Sequence, residues 1–427
     1  MGETIKLRTA GAQPAAFRTG LVAALDVGSS KVVCLIGRAE PGSLRVMGAA
    51  LRESQGIKSG TVINVQEAED SIREAVAAAE NHADMRIQTV LVSVSCGAPK
   101  SITARAAMQL DGALVSDRHI HDLLGEARAN CRTDDLDMIQ SAPVSYVVDE
   151  ARGVRDPRGM FCQRIGVTMH AVAVKPAPLQ NLKLAVERCH LTIGAALVAP
   201  YASGLSCLTP DEMQLGATVI DMGGGTTSLA VFMEGQLVYA DVVPMGGSHV
   251  TADLARMLAA PLSAAERLKT LYGAALGEIE TSTDVVAVPQ MGEDGDDYAF
   301  RVPRSMLTRI IQPRLEEILL EVQTRLRASG FDVAAGRRAV LTGGASQLAG
   351  TRELAQRVLN KQVRLGRPQT YPGLPAAGAG PDYAAALGLL MAGATMPPEI
   401  LNPDLAAPQE ETRETGFLRR LVGGIFG

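Results

Sequence analysis

A short acidic glycine turn between two apolar strands occurs twice in this chain, 195 positions apart by subtraction of 26 from 221, and this repetition constrains the fold more than any other feature. Leu21-Val22-Ala23-Ala24-Leu25 is a buried-strand run ending in Asp26-Val27-Gly28-Ser29-Ser30-Lys31, and Val32 to Ile36 supplies the returning strand. Ala217-Thr218-Val219-Ile220, then Asp221-Met222-Gly223-Gly224-Gly225-Thr226-Thr227, then Ser228 to Phe232 repeat the design. A third glycine turn, Val340-Leu341-Thr342-Gly343-Gly344-Ala345-Ser346, joins an apolar strand to a helix. The pattern predicts an internally duplicated chain with a ligand cleft between two similar lobes.

Gly28 and Gly223 to Gly225 let the main chain approach an anion and turn several N–H groups toward it, while Ser29, Ser30, Thr226 and Thr227 add hydroxyl donors. Asp26 and Asp221 alone would repel phosphate. A carboxylate beside a phosphate cradle is accounted for by a hydrated Mg²⁺ between them, because Mg²⁺ takes oxygen ligands and keeps several waters. The chain has no P-loop of the form G-x-x-x-x-G-K followed by Ser or Thr, and neither hairpin turn has the strand-to-helix context of a dinucleotide fingerprint. Lys31 reads either as a phosphate contact or as a surface lysine. Glu266 and Lys269, three apart on one helical face, read either as two ribose contacts or as an exposed ion pair.

Of the 427 residues 47% are hydrophobic, enough for two to four domains with filled cores. Lys and Arg number 41 against 46 Asp and Glu, so no basic field exists to attract nucleic acid. The six cysteines, at 34, 96, 131, 162, 189 and 207, have no metal-ligand spacing and read as buried thiols in a reducing cytosol. Residues 1–20 are polar, lack the apolar run of a signal peptide, and are expected to form a flexible tail. The longest apolar stretch, Ala384 to Met396, is too short to span a bilayer, so membrane contact is expected to be peripheral.

The three turns resemble the two phosphate loops and the adenosine loop of the actin, sugar-kinase and heat-shock-chaperone ATPase superfamily. Within it the chain is most similar to the FtsA family of bacterial cell-division proteins. Val147-Val148-Asp149 through Gly153-Val154-Arg155-Asp156-Pro157-Arg158-Gly159-Met160 resembles that family's inserted subdomain, and Val363-Arg364-Leu365-Gly366-Arg367-Pro368 the approach to its last connecting helix. The resemblance spans about residues 21–427. It implies an actin-like α/β fold of two duplicated ribonuclease-H-type lobes with a small inserted α+β subdomain. The first lobe is expected at 21–88 with 175–206 and 380–396, the insert at 89–174, the second lobe at 207–250 with 331–379, and an accessory subdomain at 251–330. ATP and Mg²⁺ are the implied cofactors, with Gly343 and Gly344 against adenine and ribose. Leu197 to Ala202 offers no Glu or Gln to orient an attacking water, so hydrolysis is expected to be slow at best.

The same resemblance implies partners. The acidic, apolar tail of the tubulin-like protein FtsZ is expected beside Arg304, Arg309 and Arg314 at the start of a long helix near Ser305. Later division proteins are expected on the inserted subdomain, and further copies of the chain in a homopolymer. A small-molecule kinase, a chaperone-type ATPase and a pilus-assembly actin homologue are the competing readings on this fold. The kinase reading predicts no membrane helix, and the chaperone reading needs a peptide-binding domain where only about 30 residues follow Thr395. The Gly153 to Met160 motif together with the terminal helix argues against the pilus reading.

Residues 397–415, with four prolines and four glutamates, are expected to form a disordered linker. Residues 416–427 are then expected to form an amphipathic helix. At about 100° per residue, Phe417, Leu418, Leu421, Val422, Ile425 and Phe426 fall in one half-circle, and Arg419, Arg420, Gly423 and Gly424 in the other. Two arginines flanking an apolar face suit anionic headgroups, and the resemblance implies that these belong to the inner membrane at the division septum. Burying six such side chains at about 1 kcal/mol each is a marginal anchor, which multiple copies on one polymer would strengthen.

Overall fold

A computed structural model of the chain describes residues 20–276, 284–292 and 300–396. The first lobe opens with strands β1 (Gly20–Val27), β2 (Lys31–Glu40) and β3 (Ser43–Glu53), then the short hairpin β4 (Ile57–Lys58) and β5 (Thr61–Val62). Helix α1 (Val65–Ala83) follows, capped by the Asn64 side chain, which accepts from the N–H groups of Gln66 and Glu67. After β6 (Thr89–Val94) the chain leaves the lobe through β7 (Lys100–Gln109), α2 (Asp117–Asn130), β8 (Asp137–Val148), β9 (Ala151–Val154) and β10 (Arg164–Val174). It returns with α3 (Pro176–Arg188), β11 (Thr192–Val198) and α4 (Ala199–Cys207).

The second lobe comprises α5 (Pro210–Leu215), β12 (Ala217–Met222), β13 (Thr227–Met233), β14 (Gln236–Val243), α6 (Gly247–Leu258), α7 (Leu262–Tyr272), β15 (Val285–Val288), β16 (Phe300–Pro303) and α8 (Arg304–Ala328). It ends with α9 (Phe331–Ala334), β17 (Arg338–Thr342), α10 (Thr351–Leu359) and β18 (Gln362–Leu365) before the last helix, α11 (Ala384–Thr395).

The duplication extends to sheet topology. The first sheet runs β11-β6-β1-β2-β3 and the second β18-β17-β12-β13-β14, position for position the same. In each, the first three strands of the lobe form an antiparallel meander, and two further strands add in parallel beside the first.

Strand alternation divides these sheets between separate cores. Val22 and Ala24 of β1 face a central cluster, while Ala23, Leu25 and Val27 face α1 and α3 with Ile72, Ala75, Leu182 and Val186. In β12, Val219 faces the centre, whereas Ile220 and Met222 face Leu254, Leu307, Ile311 and Leu354 of α6, α8 and α10. Strands buried on both faces read as near-continuous apolar runs, as 22–25 does and as 217–220 does apart from the buried Thr218.

The central cluster holds the lobes together by exchange. Helix α4 leaves the first sheet and packs on β12 and β13 of the second, while α11 leaves the second and packs on β1, β2 and β6 of the first. The two helices cross where a Cβ on Gly388 would overlap the carbonyl of Ala202.

Two expected boundaries change. The insert was expected from residue 89, but β6 pairs in parallel with both β1 and β11 and belongs to the first lobe. The separate sheet, β7-β10-β8-β9 under α2 with a core around Leu123, Ile165 and Met169, begins after it. Residues 251–330 do not form a separate core among the described residues, since Leu315, Ile318 and Val322 of α8 share one cluster with the second sheet. The tail at 1–19, the linker and the terminal helix lie outside the described residues. No described helix is long and apolar enough to cross a membrane.

Candidate functional site

The two turns are the same structure built twice. In the first, Gly28 N–H donates to Lys31 O at 2.9 Å; in the second, Gly223 N–H donates to Thr226 O at 2.8 Å. Gly28 and Gly223 sit so close beneath these bonds that a Cβ would stand 2.9 and 3.1 Å from the accepting oxygen. The turns also face each other across the cleft: a Cβ on Gly224 would lie 2.6 Å from Ser30 Oγ, and one on Gly225 would overlap Ser29 Oγ. Ser29 is fixed by Gly60 N–H, which donates to its Oγ at 2.8 Å.

Asp26 and Asp221 close the bottom of a small pocket of 60 Å³ between the turns. Ser93 donates to Asp26 and Ser203 to Asp221. Burial pushes the Asp26 carboxyl above the ordinary range, against the pull of Ser93 and Lys31. Burial raises Asp221 to about 6; the Ser203 hydroxyl and Lys31 oppose the rise, and the charges of Asp26 and Asp382 add to it. Two buried carboxyls, both raised by burial and one of them raised further by the other, fit a cation between or above them. No cluster of three or more His, Cys, Asp or Glu able to hold a metal occurs among the described residues, so waters would complete the shell of a Mg²⁺ held here.

A second cavity of 570 Å³ opens beside this pocket, lined by Ser30, Lys31, Gly223, Gly224, Glu266, Lys269 and Gly344 among others. The start of α6 docks on the second turn, Gly247 N–H donating to Gly223 O at 2.9 Å and Ser248 N–H to Gly224 O at 2.8 Å. This directs the positive end of a helix at the cavity. Glu266 and Lys269 are an ion pair at 2.7 Å on α7, and both line the cavity. Lys269 Nζ donates to Thr251 Oγ1 at 2.9 Å and to Gly247 O at 3.2 Å, which ties the pair to the start of α6. Gly343 has φ 80°, and a Cβ there would overlap Asp221 Oδ1, so the third turn reaches the cleft only as glycine.

Of the sequence candidates, Thr227 is misplaced. It begins β13, and strand alternation points Thr226 and Ser228 into the small pocket while Thr227 is fully buried on the other side, its hydroxyl without a hydrogen-bond partner. The three arginines of α8 do not share a face, because five-residue spacing rotates each by about 140° from the last. Arg304 lines the large cavity with Nε donating to Tyr272 O at 2.8 Å; Arg314 is held by Asp253 at 2.6 Å and Glu317 at 2.5 Å; Arg309 alone is exposed. Sequence reasoning missed Asp382, which accepts from Lys31 across 351 positions of sequence, and Gln347, which donates to it at 3.2 Å. No local motif marks either residue. The residues expected at the membrane, Phe417 to Phe426, lie outside the described residues.

Two sheets of identical order with exchanged helices, around a cleft built from paired acidic glycine turns, define an actin-like ATPase fold. A PilM-PilN type IV pilus biogenesis complex shares it at a TM-score of 0.61 and 18% identity, covering 87% of this chain and 98% of that one. MreB5 of Spiroplasma citri bound to ADP aligns at a TM-score of 0.50 and 11% identity, covering 88% and 95%. Sequence comparison is more specific. The family model for cell division protein FtsA matches residues 218–388, and that for the SHS2 domain inserted in FtsA matches 97–173. Cell division protein FtsA of Rhizobium meliloti (strain 1021) is 42% identical over 385 residues, covering 88% of this chain and 87% of that protein. The chain belongs to the FtsA family of cell-division proteins.

Proposed function

We propose that this chain is an ATP-binding membrane tether of the division machinery, which self-assembles and links FtsZ filaments to the cytoplasmic face of the membrane at the septum. The observation that carries the nucleotide reading is the meeting of the two turns over Asp26 and Asp221, with a cavity of nucleoside size beside them. Gly28, Ser29, Ser30, Lys31, Gly223, Gly224, Gly225 and Thr226 hold the phosphates; Glu266, Lys269, Gly343 and Gly344 hold the nucleoside. A bound Mg²⁺ supplies charge neutralisation between the phosphates and the two carboxylates. The residues described around the small pocket include no Glu or Gln, which supports at most weak hydrolysis and a role for ATP in conformation and assembly. The Phe417 to Phe426 sequence supports anionic lipid as the surface, and the inserted subdomain is the surface proposed for later division proteins.

The pilus-type reading rests on fold alone, at 18% identity. Titration with fluorescent ATP and Mg²⁺ tests the nucleotide site. Asp221→Ala removes the metal-linked carboxylate, and Gly224→Asp fills the cradle with a like charge. Both are expected to lose ATP binding, and wild-type affinity in either contradicts the assignment.

A further inference from the structure

Six residues line both the 570 Å³ cavity and the 60 Å³ pocket: Ser30, Lys31, Gly223, Gly224, Gly344 and Asp382. They form the boundary between the two spaces, so a molecule seated in the larger one reaches Asp26 and Asp221 only past them. Across that boundary the Lys31 ammonium donates to Asp382 Oδ1. The bond joins the first turn to the segment that leads into α11, and Gln347 of the second lobe donates to the other carboxylate oxygen at 3.2 Å. A Cβ on Gly344 would stand 2.6 Å from Asp382 Oδ1 and 3.7 Å from Lys31 Nζ, so the pair lies directly against the third turn.

We propose that Asp382 sets the cost of admitting the terminal phosphates, because it holds Lys31 across the passage and the phosphate chain must displace it to reach the buried aspartates. This rests on the nucleotide reading of the site. The exchange is unequal for the two partners. Lys31 trades a carboxylate for a phosphate oxygen and keeps a counter-ion, whereas Asp382 loses its partner and is left beside a polyanion. Asp382 therefore opposes binding, and its opposition grows with the number of phosphates that pass. The side chains retain 19% and 35% exposure, which leaves the pair weak enough to break on ligand entry.

Asp382→Asn keeps the shape of the side chain and an acceptor for Gln347 while removing the charge. In titrations of the full chain with fluorescent ATP, ADP and AMP in the presence of Mg²⁺, this variant is expected to bind ATP about three- to tenfold more tightly, ADP with a smaller gain, and AMP as the wild type does. In a Lys31→Met background the gain for ATP is expected to shrink, since only the repulsion remains to be relieved. Asp382→Ser serves as a second neutral variant, and thermal unfolding reports whether each is folded. Unchanged or weakened ATP affinity in the folded variants, or an equal gain for all three nucleotides, overturns the proposal. If the wild-type chain binds none of the three, the nucleotide reading itself falls and takes this proposal with it.

Discussion

At the residue scale, Asp221 joins sequence to function most directly. Its carboxyl is fully enclosed and its pKa rises from 3.8 to about 6, so the fold favours the protonated form. For a group raised in the folded state, the stabilisation is complete below the unfolded value and is lost as pH rises through the folded one. The ligand-free protein is therefore expected to lose roughly 3 kcal/mol from this group between about pH 4 and neutrality. Asp221→Asn, which still accepts from Ser203, is expected to flatten that decline and to raise the ligand-free unfolding temperature at neutral pH while weakening ATP binding in Mg²⁺. Thermal denaturation across pH checks this, and a decline as steep as the wild type's would show that the cost arises elsewhere. The glycines, serines and aspartates of the turns were legible from sequence because their spacing alone implies a cradle. Thr227 was not, since a one-residue difference in register decides which hydroxyl faces the cleft. Asp382 was invisible for another reason: its partner is on the first turn, and only the exchanged helix brings the two ends of the chain together.

At the element scale, the exchanged helices explain a sequence signal that lacked a period. Residues 384–395 are almost uniformly apolar because α11 is buried all round, between the first sheet and α4. Gly388→Ala drives a methyl group into the Ala202 carbonyl at the helix crossing, and is expected to cost at least about 2 kcal/mol, measured by urea denaturation. A cost near zero would mean that the helices separate readily and that the lobes are not fastened there. Helix α8 illustrates the opposite limit. Its buried stripe was readable from Leu307 to Leu326, but which arginine stays free depends on neighbours distant in sequence, Asp253 for Arg314 and the end of α7 for Arg304. Arg309→Glu is expected to weaken binding of an FtsZ tail peptide several-fold with an unchanged unfolding temperature. Arg314→Glu is expected to lower that temperature, because it sets a third carboxylate against Asp253 and Glu317. Fluorescence anisotropy with the peptide separates the two effects; equal peptide affinity in wild type and Arg309→Glu moves the tail site off this helix.

At the scale of the whole molecule, the cleft and the terminal apolar sequence are the two ends of one proposed device. In that proposal the body supplies nucleotide-dependent assembly, and assembly multiplies anchors that are marginal singly. The lobed architecture was legible because each sheet begins with the same turn. The proposed membrane attachment rests on the sequence of residues 417–426, where six large apolar residues flank an arginine pair and a glycine pair. The most direct test is flotation of FtsZ filaments with vesicles containing anionic lipid, in the presence of this chain, ATP and Mg²⁺. FtsZ is expected to float only with the intact chain, and to remain in solution when Leu421 and Phe426 are both replaced by Glu, although that variant still binds ATP. FtsZ that floats equally well with the doubly substituted chain, or never floats with the intact one, would contradict the tether.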